Sequence, residues 1–197
     1  MAKVLPTDSQ LLVDFIIKNF EVFIPWNDSK DILPRMAGNY VVLLKKETPF
    51  PTEKVDNMPA IRNIEFEDKE YQLIYTGITS ELRKRIGNNH FGNNAGRSTL
   101  RLSLGSLMGF TKIYRDKKEQ MKKFRNADEL ILTEWMQKNL IVLYYANPNC
   151  DNDEENMISA LNPPLNIDKN NCKENYEFRS ELSYLRSKNI QFEPIVE

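Results

Sequence analysis

Hydrophobic positions recur along this chain with two periods, and the changes of period mark the element boundaries. Leu11, Leu12, Phe15, Ile16 and Phe20 fall at helical spacing behind Asp8, a residue type that caps first turns. This predicts an amphipathic helix over residues 9–20, broken by the FIPWND run. Gly38–Lys45 (GNYVVLLK) is rich in β-branched and apolar residues and predicts a buried strand, followed by a proline-bearing loop. Residues 61–66 and 71–78 are two further extended runs with Glu67 and Asp68 between them, which predicts a hairpin. A short helix opens at Thr79 or Ser80 and ends near residues 87–89, ahead of the loop NHFGNNAGR. STLRLSLGSLMG, capped by Ser98 or Thr99, and ADELILTEWMQKNL, behind Asn126 or Asp128, predict two more helices. Residues 141–146 (IVLYYA) read as a third strong strand. The acidic residues 151–155 open a short helix that must stop at Asn162-Pro163-Pro164, and a polar helix is expected over 174–187.

Composition narrows the class. With 197 residues, 41% hydrophobic, 28% charged and a mean hydropathy of −0.55, the chain reads as one globular domain with terminal additions. No run approaches the roughly 20 apolar residues that span a bilayer, so neither a membrane span nor a signal peptide is expected, and a cytoplasmic location is. Cys150 and Cys172 lie 22 residues apart in no metal-ligand spacing and are expected as free thiols. The chain has one histidine, which argues against a His-rich zinc or haem site.

Net charge is −1, yet it is unevenly spread. Residues 83–125 carry +10, from twelve basic residues against Asp116 and Glu119, while residues 1–82 carry −4 and residues 126–197 carry −7. A basic centre between acidic flanks suggests a nucleic-acid footprint built from Arg83, Lys84, Arg97, Arg101, Lys112, Lys117, Lys118, Lys122 and Lys123. The plainer reading of RDKKEQMKKFR is a solvated helix face.

Four short motifs stand in order. Gly38-Asn39-Tyr40 opens a predicted strand, and Tyr75-Thr76-Gly77 closes the predicted hairpin. Arg85 follows Gly77 by eight residues on the next helix, with His90 beyond it. EENMISALNPPLN then places Glu154 at a helix start, twelve residues before Asn166. With these elements the chain resembles the GIY-YIG nuclease superfamily over residues 38–166. Two departures accompany the match: Asn39 is polar where the family prefers an apolar residue, and His90 sits one residue later than in the most compact members. The extra residues between the arginine and glutamate helices resemble a bacterial branch with an insertion.

The resemblance implies an α+β fold, with a small three-stranded antiparallel sheet flanked by helices and extra N- and C-terminal helices. It divides the chain into a helical extension over 1–35, a nuclease-like domain over 36–168 with inserted helices at about 91–140, and a second extension over 169–197. It also implies hydrolysis of phosphodiester bonds in DNA, in repair, restriction or a mobile element, with one Mg²⁺ or Mn²⁺ ion. Such chemistry needs an activated water, a cation for the growing phosphorus-oxygen charge and a metal ligand. By that analogy Tyr40 takes the water's proton, Tyr75 orients it, Arg85 meets the phosphate, His90 stands near the substrate or metal, and Glu154 holds the ion. Gly38, Gly77 and Asn166 shape the surroundings. A phenol is a poor base at neutral pH, so Arg85 and the metal are expected to lower the Tyr40 pKa. Each residue also has an ordinary reading, with the tyrosines as core aromatics and Glu154 as a helix N-terminal acid. The competing functions are a catalytically silent nucleic-acid-binding or scaffold protein on the same fold and a partner-binding module using the helix at 9–20.

Overall fold

The computed structural model describes residues 4–114, 122–188 and 190–191. Helix α1 (Ser9–Asn19) starts where the Asp8 carboxylate accepts the Gln10 and Leu11 backbone N–H groups, each at 2.9 Å. It buries Leu12, Val13 and Ile16, while Leu11, expected on the apolar stripe, faces solvent. Strand β1 (Glu21–Phe23) and a 3₁₀ turn (Lys30–Ile32) lead to β2 (Gly38–Lys45), β3 (Arg62–Phe66) and β4 (Lys69–Thr79). Glu67 and Asp68 join β3 to β4 with φ of 49° and 58°, the two-residue turn whose left-handed backbone matches strand twist. A π-wound helix (Arg83–His90) and a 3₁₀ turn (Ala95–Arg97) follow, then α2 (Thr99–Leu107), β5 (Lys112–Tyr114), β6 (Lys122–Phe124) and α3 (Asn126–Asn139). The chain continues through β7 (Leu140–Ala146), a 3₁₀ turn (Cys150–Asn152), α4 (Asp153–Leu161), α5 (Tyr176–Ser187) and β8 (Ile190–Gln191). Among the described residues no helix is long and apolar enough to cross a membrane.

The main sheet has five strands in the order β1-β7-β2-β4-β3, all antiparallel, where three were expected. β7 is apolar enough to pair on both sides, lying between β2 and β1. β1 has three residues, too few for alternation to reveal, and pairs Glu21–Phe23 with Tyr144, Leu143 and Val142. The insertion, expected as helices alone, also contains β5 and β6, which form a second sheet with β8 in the order β6-β5-β8.

β2 is the buried centre of the main sheet, and its two faces belong to two cores. Val41 and Leu43 pack with Leu73, Ile141 and Leu143 beneath α1 and α4. Tyr40, Val42 and Leu44 pack with Val142 beneath α2, α3 and α5. Val41, Val42, Leu43 and Leu44 have no exposed surface, and each such side chain contributes about 1.5–3 kcal/mol on burial. β2 is therefore a rigid platform for whatever projects from it.

β4 breaks the alternation once. Val42 pairs with Tyr75 but Leu43 pairs with Leu73, leaving Ile74 as the extra residue of a bulge. Ile74 and Tyr75 consequently both pack in the core that holds Tyr40, whereas Tyr71 and Leu73 face the other way. Strict alternation continued from Tyr75 would have turned Leu73 and Tyr71 to the Tyr40 face.

Candidate active site

Tyr40 lies across from Gly77 in the β2–β4 register. A Cβ at Gly77 would stand 2.6 Å from the Tyr40 hydroxyl, so only glycine leaves the phenol its place. Gly38 serves a similar purpose: a Cβ there would meet the Tyr145 carbonyl at 2.3 Å, preventing β2 from approaching β7. Tyr75, two residues before Gly77, lies on the same face, and the Tyr40 and Tyr75 rings come within 6.3 Å of each other, with His90 5.4 Å and 5.8 Å from them.

Arg85 and His90 are five residues apart, about 140° around an ordinary α-helix. Here the helix is wound with i→i+5 bonds, such as Phe91 N–H to Ile86 O at 3.1 Å, which brings every fifth residue back towards one face. Both side chains therefore reach one oxygen. Arg85 Nε donates to Tyr40 Oη at 3.3 Å, and His90 Nε2 lies 2.8 Å from the same atom. The wider winding absorbs the extra residue before His90. The other imidazole nitrogen, Nδ1, lies 2.7 Å from Ser98 Oγ.

Burial decides the charge of this cluster. Tyr40 and His90 have no exposed surface. Burial first, then the Arg85 and Arg101 cations, pushes the His90 pKa well below the usual imidazole range, so the ring is neutral at physiological pH. Burial and then Tyr75 raise the Tyr40 phenol far above its ordinary value, and Arg85 opposes them without prevailing. The lowering by Arg85 is present, but burial outweighs it within the chain, because a desolvated phenolate costs more than one adjacent guanidinium returns.

The insertion supplies the support behind these groups. Ser98 caps α2 by accepting the Arg101 backbone N–H at 3.1 Å while holding His90. Thr99 Oγ1 lies 3.0 Å from the Tyr75 hydroxyl. Arg101 bonds Glu129 Oε2 through Nε and Nη2, at 3.2 and 2.6 Å, and donates Nη1 to the His90 carbonyl at 3.2 Å. The other Glu129 oxygen accepts Ala95 N–H at 2.7 Å and Phe124 N–H at 3.1 Å.

This corrects part of the expected nucleic-acid footprint. Arg101 is fully buried and Lys112 is 1% exposed, so neither presents its cation at the surface. Arg83 is bound to Leu33 O at 2.8 Å and Asp31 at 3.2 Å, tying the π-wound helix to the segment before β2. Lys84 and Arg97 are exposed and Lys123 is partly so. Lys117 and Lys118 lie outside the described residues, as does the side chain of Lys122.

Glu154 stands in the first turn of α4. That turn is anchored by its neighbour: Asp153 Oδ2 accepts Asn39 Nδ2 at 3.1 Å and Asn147 Nδ2 at 2.9 Å. The buried, polar Asn39 is thereby satisfied and links β2 directly to the start of α4. Asn166 bonds both backbone groups of Thr76, each at 2.9 Å, securing the segment after α4 to β4. A cavity of about 250 Å³ lies between these elements, lined among others by Tyr75, Arg85, Thr99, Glu154, Lys169 and Arg186. Glu154 Oε2 is 2.6 Å from Lys169 Nζ, with side-chain exposures of 28% and 48%.

Among the described residues no three His, Cys, Asp or Glu side chains gather as a metal-binding cluster. A single, partly exposed carboxylate facing a cavity suits one hard ion that keeps most of its waters and completes its shell from substrate, as Mg²⁺ does. It does not suit zinc, which takes three or four protein ligands. Ser98, Thr99, Asn147, Lys169 and Arg186 carried no sequence signal as site residues. Ser98 was legible only as a helix cap, and the two later cations sit in ordinary polar stretches.

The family model of the GIY-YIG catalytic domain matches residues 38–188, from β2 through α5. No curated protein and no solved structure matches the chain.

Proposed function

The chain belongs to the GIY-YIG nuclease family, and on that premise we propose that it is a divalent-metal-dependent endonuclease hydrolysing phosphodiester bonds in DNA. The observation that carries the reading is the continuous chain Arg85–Tyr40–His90–Ser98, which ends at a cavity also lined by Glu154.

The buried, neutral state of Tyr40 and His90 suggests how a phenol acts as base without first ionising. With His90 Nδ1–H donating to Ser98 Oγ, Nε2 is free to accept the Tyr40 hydroxyl proton. As the attacking water gives its proton to Tyr40 Oη, the original phenol proton passes to His90 Nε2, the water's electron pair forms the new bond to phosphorus, and the phosphorus bond to the departing oxygen breaks, that oxygen taking a proton from solvent. The phenolate never stands alone in the low-dielectric core. Arg85 spans Tyr40 and the cavity and offers positive charge to the phosphate oxygens as charge grows on them. Glu154 would hold the ion, which when bound supplies Lewis-acid stabilisation of the phosphate and the departing oxygen.

The test is cleavage of plasmid, single-stranded, branched and flap DNA by the full chain with Mg²⁺, Mn²⁺ or EDTA. Metal-dependent products are expected, and Tyr40→Phe should remove them while leaving binding intact. A wild-type chain that binds DNA but cuts none of these substrates with either ion is a binding scaffold.

A further inference from the structure

Arg186 lies in the last turn of α5, outside the region where the motifs fall, and its side chain lines the same cavity as Arg85 and Glu154. α5 is brought there by packing: Phe178 and Leu182 are buried in the core that contains Leu100 and Leu104 of α2 and Tyr40. The helix that secures the back of the site therefore also delivers a cation to its mouth.

The state of that cation is unusual. Lys169 is engaged with Glu154, and Arg85 with Tyr40 and the Arg97 carbonyl. The Arg186 guanidinium is partly buried and makes no hydrogen bond or ion pair with any described residue. Asp168 is near enough to favour its charge but does not bond it, and burial outweighs that help and lowers its pKa. A desolvated guanidinium with its donors unused is an unfavourable arrangement unless an oxyanion arrives to complete it.

Resting on the nuclease reading above, we infer that Arg186 forms a second phosphate subsite, gripping the phosphate next to the one that meets Arg85 on the same strand. The grip fixes which linkage enters the site. Its planar fork bonds two non-bridging oxygens of a phosphodiester that does not react, so it acts in binding and leaves the chemical step to the Tyr40 cluster.

The experiment combines a protein change with a substrate change. Fluorescein-labelled DNA is made with one uncharged methylphosphonate at successive positions around the mapped cut. Binding in EDTA and cleavage in Mn²⁺ are measured for wild type, Arg186→Gln, Arg186→Lys and the control Lys18→Gln, an α1 residue that does not line the cavity. Arg186→Gln should raise KM about ten- to a hundredfold with kcat nearly unchanged, the loss of one charged hydrogen-bonding contact. Its salt slope should be shallower by about 0.7–0.9. Arg186→Lys should restore the slope but not the full affinity. One methylphosphonate beside the cut should weaken wild type and leave Arg186→Gln unaffected, which places the contact. If every methylphosphonate weakens both proteins equally, or Arg186→Gln matches wild type, the subsite is wrong while the nuclease stands. A folded wild type that neither binds nor cuts DNA overturns both.

Discussion

Two ion pairs of equal length bracket the candidate site. Arg101–Glu129 and Lys169–Glu154 both measure 2.6 Å, but the first has side-chain exposures of 0% and 1%, the second 48% and 28%. Distance does not distinguish them; water does. At the dry end the pair is committed: Glu129 satisfies two backbone N–H groups besides Arg101, and Arg101 holds the carbonyl of His90. At the wet end Glu154 and Lys169 can exchange each other for solvent, a metal ion or phosphate. Tyr40 and His90, proposed above to handle the proton, belong to the dry end, and Glu154, proposed to hold the ion, belongs to the wet one.

The comparison is broken most directly at its dry end. Glu129→Gln keeps shape but leaves Arg101 charged and uncompensated in the core, which costs about 3–5 kcal/mol where a buried pair is split. Denaturant unfolding should show that loss. A change below about 1 kcal/mol would mean that water reaches Arg101 and the two pairs are alike. Arg101→Met with Glu129→Leu, removing both charges, should recover much of the loss, because two desolvated ions are replaced by packing.

The next largest effect is catalytic. Arg85→Ala should lower cleavage about a hundred- to a thousandfold with little loss of stability, since the contact matters most as charge develops on phosphate. Glu154→Gln should remove metal-dependent cleavage altogether while DNA binding persists, and Glu155→Gln, whose side chain is 76% exposed, should cut normally. Loss of activity in Glu155→Gln with retention in Glu154→Gln would shift the metal-holding position by one residue.

These residues were legible to different degrees, for physical reasons. Gly38–Lys45 announced itself because a central strand buried on both faces draws apolar residues to both, here Val41–Leu44. The hairpin turn at Glu67 and Asp68 was visible as a polar break between apolar runs. Three features of the fold left no such trace. The bulge at Ile74 looks like any apolar residue in YQLIYTGI, the π winding has no composition of its own, and β1 is too short to alternate. The +10 segment misled in a particular way: counting charge assumes exposure, and Arg101 and Lys112 are buried. Asn39, by contrast, read as a departure and becomes intelligible once Asp153 and Asn147 are seen beside it.

A smaller effect tests the dryness of the catalytic end by pH. His90 is the one histidine in the chain, so its titration is free of overlap. Its folded pKa is depressed, by burial first and then by Arg85 and Arg101, so the unfolded chain binds a proton below about pH 6.5 that the folded chain refuses. Stability should therefore fall as pH drops from about 6.5 towards 5, by up to about 1.4 kcal/mol per pH unit, and be unaffected by this group above that window. The imidazole NMR signals should stay in the neutral position throughout, and His90→Gln should flatten the slope. A midpoint near 6.5 would put His90 in water and remove it from the proton path.

The smallest effect is expected at the wet end, and its sign matters more than its size. Lys169 Nζ occupies a position beside Glu154 Oε2 that a bound cation would contest. An ion pair this exposed contributes little, so Lys169→Gln should leave global stability nearly unchanged. The same small contribution, no longer opposing the metal, should tighten Mn²⁺ binding by about 1.4- to fivefold in an electron paramagnetic resonance titration, without any cleavage assay. The gain should shrink at high salt, where screening already weakens the lysine's hold, and vanish in Glu154→Gln. Weaker Mn²⁺ binding in Lys169→Gln would reverse the assignment. Lys169 would then be aiming the carboxylate rather than competing for it, and the wet pair would be as structural in purpose as the dry one.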